Sequence, residues 1–81
     1  MKLEELEYPI YRKYKNNKSY FKILDPRNFV EIQLIGRQRR MLTIEVKQYP
    51  EMMFIRDLIL NYSAMAEVIG KDEYERQLPV Q

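Results

Sequence analysis

The sequence predicts an α+β fold: a four-stranded antiparallel β-meander covered on one face by an α-helix, with a short fifth strand and a short C-terminal helix. Three observations predict it. Val30, Ile32 and Leu34 alternate with Glu31 and Gln33, and Leu42, Ile44 and Val46 alternate with Thr43 and Glu45. That period of two in β-branched residues marks half-buried strands. Turn-forming residues separate the apolar stretches at Asn16-Asn17, Asp25-Pro26-Arg27-Asn28 and Gly36 to Arg40. Beyond Pro50 the period changes: Met52, Ile55, Leu58, Ile59 and Tyr62 recur at helical spacing.

In chain order, residues 1–7 read as a loose N-terminal tail or a single helical turn. Tyr8 to Tyr14 is rich in aromatic and β-branched residues and reads as a strand, with Pro9 restricting it to a strand start or an edge. Asn16-Asn17 suits a two-residue turn, because Asn tolerates the left-handed conformation. Ser19 to Leu24 is the returning strand. Asp25-Pro26 fits the first two positions of a type I turn. Phe29 to Ile35 and Met41 to Lys47 form the central hairpin around Gly36-Arg37-Gln38-Arg39-Arg40. A covering helix is expected from about Glu51 to Asn61, with Glu51 favourable near its positive end. Residues 63–69 fit either a continued helix or a strand, and the strand reading is preferred. Asp72 and Glu75 then have the spacing of a capping box for a last helix, which Pro79 stops.

Turn lengths set an expected register. Two-residue loops at Asn16-Asn17 and Pro26-Arg27 place Ile10 opposite Ile23 and Ile23 opposite Val30. A three-residue loop at Arg37-Gln38-Arg39 places Leu34 opposite Leu42. Opposed residues share a face, so the expected core face holds Tyr8, Ile10, Tyr14, Phe21, Ile23, Val30, Ile32, Leu34, Leu42, Ile44 and Val46. The opposite, outer face then carries Tyr11, Lys13, Tyr20, Lys22, Leu24, Phe29, Glu31, Gln33, Ile35, Met41, Thr43, Glu45 and Lys47.

The 81 residues form a single domain. A domain this small buries roughly 60% of its unfolded surface, so association with a second subunit would add a needed margin. No apolar run reaches membrane-spanning length, and the acidic start from Met1 to Glu7 is not a secretory signal. A cytoplasmic location is the expectation. The net charge of +2 conceals a polarity: residues 8–47 carry +7 and residues 48–81 carry −3.

Tyr8-Pro9-Ile10-Tyr11-Arg12-Lys13-Tyr14 and the closing Met65-Ala66-Glu67-Val68-Ile69, followed by Gly70-Lys71-Asp72-Glu73-Tyr74-Glu75, resemble small uncharacterised bacterial proteins of Bacteroidetes type. The resemblance spans most of the chain through motifs of low specificity. It implies a short strand leading into an acidic capped helix, and it assigns no activity and no functional residue.

Chemistry is sparse. The chain has no His and no Cys, which leaves carboxylates alone as metal ligands and removes the commonest general base. Ser19, Thr43 and Ser63 lie in no activating motif. Gly36 and Gly70 are the only glycines, too few for a phosphate-cradling loop. Asp72, Glu73 and Glu75 read as charge complementary to a helix N-terminus rather than as an acid–base site. No catalytic residue, cofactor or metal ligand is expected, and the chain is not expected to be an enzyme.

Two surface features remain. The outer face is unusually apolar, and Tyr11, Tyr20, Leu24, Phe29, Ile35 and Met41 are its candidate interface residues, since aromatics and Met mark interface cores. They point to a protein–protein binding or assembly module, in the first instance a homodimer. The alternative partner is single-stranded nucleic acid. Tyr11, Tyr20 and Phe29 would stack on bases, while Lys13, Lys22, Arg37, Arg39 and Arg40 would contact phosphates. Glu31 and Glu45 on the same face oppose that alternative by repelling phosphate.

Overall fold

The computed structural model describes residues 2–79. After a 3₁₀ turn at Leu3–Glu5 come strands β1 (Ile10–Tyr14), β2 (Ser19–Asp25), β3 (Asn28–Ile35) and β4 (Gln38–Glu45), helix α1 (Tyr49–Leu60), strand β5 (Ala66–Val68) and helix α2 (Lys71–Glu75). The five strands make one antiparallel sheet in the order β4-β3-β2-β1-β5. This is the α+β meander expected, and residues 66–68 of the ambiguous segment are strand. Among the described residues no helix is long and apolar enough to cross a membrane.

The register between β1 and β2 is the one that a two-residue loop at Asn16-Asn17 imposes: Ile10 faces Ile23 and Arg12 faces Phe21. Asn17 adopts φ 62°, the left-handed geometry that Asn accepts at little cost. The two later registers differ from expectation, each by an odd number of residues. Asp25 does pair with Asn28 around Pro26-Arg27, but Ile23 pairs with Phe29 instead of Val30. Leu24 is therefore an extra residue in β2, a β-bulge. Past a bulge, every side chain of the partner strand exchanges faces relative to the unbulged register. Phe29, Glu31 and Gln33 turn to the core side, and Val30, Ile32 and Leu34 turn to the other.

The β3–β4 turn restores the parity. Ile35 pairs with Gln38, so the loop is Gly36-Arg37 rather than Arg37-Gln38-Arg39. Gly36 has φ 60° and Arg37 has no positive φ, the arrangement of a type II′ turn with Gly at its first central position. Phe29 then faces Ile44 and Ile32 faces Met41. The two odd shifts cancel, which is why Ile44 lies on the core side as expected while the strand between is inverted.

Each sheet face has its own helix. On the first, Phe21, Ile23, Phe29 and Val46 pack against Ile55, Leu58 and Ile59 of α1, with Phe54 at the margin. Phe21 lies 6.2 Å from Phe29 and 6.0 Å from Phe54 between ring centroids, at tilted angles within the range favourable for aromatic pairs. On the second face Tyr20 and Ile32 pack under Ile69 and Tyr74, with Tyr11 and Leu34 beside them. The apolar character of the supposed outer face is thus explained in part by α2. The expected capping box is not formed: Gly70 is the N-cap and makes no side-chain cap hydrogen bond. The helix starts too early for Asp72 to cap it.

Candidate functional site

The two sheet edges differ. β5 is three residues long and closes the β1 side, whereas β4 presents eight residues with no strand beyond it among the described residues. Six of those eight are exposed. Edge strands leave a row of backbone donors and acceptors open to another chain, and natural proteins blunt them when pairing is unwanted. β4 carries Arg39 and Arg40 but neither proline nor a bulge with β3.

The structure divides the candidate interface residues. Phe29 is 3% exposed in the α1 core and Tyr20 is 6% exposed beneath α2, so neither offers a surface. Tyr11 is half-buried, its ring centroid 5.4 Å from that of Tyr74. Leu24 is exposed at the bulge. Ile35 and Met41, at 55% and 47% exposure, are the two that flank the open edge. A further apolar surface lies on α1: Tyr49, Met52 and Met53 are exposed beside a cleft of about 380 Å³ formed with Leu3 and Pro26. Lys2, Glu4, Arg27 and Arg56 rim that cleft with mixed charge.

The basic candidates separate as well. Lys13 is occupied on the second face, with Nζ 3.2 Å from Glu73 and 3.6 Å from Glu67. It ties β1 to α2 and β5. The hydrogen bond to Glu73, opposed by partial desolvation, raises the Lys13 pKa above its ordinary value. Lys22 is half-buried. Arg37, Arg39 and Arg40 cluster at the exposed β3–β4 tip, where Arg37, Gln38, Arg39 and Pro79 line a shallow notch. Arg39 Nη2 donates to Gln77 Oε1 at 3.5 Å. Glu31 moves to the core side of the sheet and accepts from Ser19 Oγ at 3.0 Å and Gln33 Nε2 at 3.2 Å.

Among the described residues the three hydroxyls considered above stand apart from one another. Ser19 Oγ is buried and donates to Glu31, and Thr43 and Ser63 lie on separate surface segments. Among the described residues no cluster of three or more His, Cys, Asp or Glu is placed to hold a metal ion. The arrangement can offer a strand edge, an apolar flank and a cationic tip. In comparisons with known proteins, no family model, no curated protein and no solved structure matches the chain.

Proposed function

We propose that this chain is a non-catalytic protein–protein binding and assembly module that acts as a homo-oligomer in a bacterial cytoplasm. One observation carries the reading: the eight-residue β4 edge is open and flanked by the exposed apolar residues Ile35 and Met41. An added strand would gain main-chain hydrogen bonds along the edge, with alternate side chains supplying specificity. A small domain with a thin stability margin also gains from such association. Sedimentation across a concentration range tests the reading. Reversible association that Met41→Asp weakens is expected. A strict monomer that also captures no partner through β4 would remove it.

The second reading, single-stranded nucleic-acid binding, keeps one favourable observation, the three exposed arginines at the β3–β4 tip. The rings of Tyr20 and Phe29 are buried and unavailable for stacking. If the tip binds phosphates, the logarithm of the binding constant falls with the logarithm of salt by about 0.7 per phosphate neutralised. Fluorescence anisotropy of labelled oligonucleotides at low salt measures this, and the absence of any binding removes the reading.

A further inference from the structure

The hydrogen-bonding phase of the β4 edge follows from its inner ladder. Val46 donates its N–H to the Arg27 carbonyl, and Ile35 pairs with Gln38 across the two-residue turn. Hydrogen-bonded positions alternate along an antiparallel ladder. Gln38, Arg40, Leu42 and Ile44 therefore turn their backbone groups toward β3. Arg39, Met41, Thr43 and Glu45 turn theirs outward. Their side chains share one face, since they pair with Leu34, Ile32, Val30 and Asn28.

A second copy running antiparallel must set outward residues opposite outward residues. Only a few registers satisfy that. With the two-fold axis at Thr43, Arg39 stands opposite the partner's Lys47, an unfavourable like-charge pair. With the axis at Met41, Glu45 falls opposite the partner's Arg37, which lies in the turn outside β4. With the axis at Leu42, Arg39 stands opposite the partner's Glu45 and Met41 opposite the partner's Thr43, and the symmetry repeats both pairs. All four outward residues then find hydrogen-bonding partners, and both outward charges within β4 find opposite charges, while the like-charged Arg37 and Lys47 that oppose one another lie beyond its two ends.

Resting on the assembly reading above, we propose that the occupant of the β4 edge is a second copy of this chain. The two copies join about an axis at Leu42 into one continuous antiparallel sheet, held in register by reciprocal Arg39–Glu45 pairs. Both side chains are accessible for this. Glu45 pairs with the exposed Lys47 at 3.3 Å and Arg39 donates a long hydrogen bond to Gln77 at 3.5 Å; both are exposed contacts of a kind readily exchanged.

The register is tested by charge exchange and by cross-linking. Arg39→Glu and Glu45→Arg, each alone, set like charges opposite one another and weaken dimerisation on the order of tenfold. Mixed in equal amounts, they pair as a heterodimer and regain the wild-type affinity. Circular dichroism of each variant as a monomer controls for folding. Because the chain has no Cys, Leu42→Cys introduces a single thiol. Mild oxidation then links two copies, whereas Thr43→Cys links poorly, because its counterpart is displaced along the strand. A wild-type dimer in which Cys substitution at 42 fails to cross-link and the mixed variants show no recovery overturns the register and leaves assembly through another surface. A wild-type chain that stays monomeric at the highest attainable concentration overturns this proposal and its homo-oligomeric premise together.

Discussion

The guanidinium of Arg12 lies 4.3 Å from the ring centroid of Tyr62. In that position Nε donates to the Leu58 carbonyl at 3.1 Å and Nη2 to the Ile59 carbonyl at 3.2 Å. A β1 side chain thus satisfies carbonyls in the last turn of α1 and sets a cation at the helix's negative end. Burial lowers the Arg12 pKa, opposed by Tyr62. Arg12→Ala is expected to destabilise the fold by about 2 kcal/mol. Arg12→Lys recovers little of this, because an ammonium lacks the planar fork. Urea unfolding of the three proteins measures both.

Phe29 and Met41 separate core from surface. Phe29→Asp buries a carboxylate against Phe21 and Phe54, and a loss of about 4 kcal/mol or more is expected. Met41→Asp places its charge in solvent and leaves the melting temperature nearly unchanged while weakening self-association. Thermal melts monitored by circular dichroism distinguish this from the register expected before the bulge, in which both residues would be on the outer face.

Gly36 is needed for its backbone. A Cβ there would meet nothing within 4 Å, so any cost of Gly36→Ala comes from the φ of 60° rather than from a clash. About 1–2 kcal/mol is expected, read as a lower urea midpoint. An unchanged midpoint would mean that the turn is not type II′.

Tyr74 is 3% exposed, and its hydroxyl has no hydrogen-bond partner among the described residues. Burial raises its pKa, as do Tyr11 and Glu75 nearby. Tyr74→Phe removes an unsatisfied polar group and is expected to leave stability equal or raise it by about 1 kcal/mol. Tyr74→Ala costs about 3 kcal/mol through the lost ring. Chemical denaturation of both variants decides.

Asp25 supplies a pH dependence. Its Oδ1 accepts from the Arg27 N–H at 2.8 Å and, with Oδ2, from Asn28 Nδ2. The Arg27 backbone hydrogen bond is the main cause holding its pKa below the ordinary value. A depressed folded pKa means that this stabilisation is present above the unfolded value of about 3.9 and is lost as pH falls through the lower folded value. The stability difference between wild type and Asp25→Ala is therefore expected to shrink on acidification below about pH 4. Urea midpoints at neutral and acidic pH measure it.

The sequence by itself determined most elements: the meander, the helix around Pro50 and the β1–β2 register, while residues 63–69 fitted helix or strand alike until the structure paired Ala66–Val68 with β1. Each rests on a local signal, such as the tolerance of Asn17 for φ 62° or the spacing of Ile55, Leu58 and Ile59. The β3–β4 turn was not placed by the sequence: a three-residue loop at Arg37-Gln38-Arg39 was expected, whereas Gly36-Arg37 forms it, with Gly36 at φ 60°. Only the tertiary structure decided which face β3 buries. Its apolar residues occupy both parities, Phe29 on one and Val30, Ile32 and Leu34 on the other, so alternation cannot orient it. The bulge at Leu24 carries no compositional mark, because an extra Leu in a strand resembles any other residue of that strand. Both ambiguities share one physical cause: a sheet covered by α1 on one face and α2 on the other has no fully polar side. The open β4 edge likewise arose from strand order, since β5 crosses the molecule to pair with β1 and leaves β4 unpartnered.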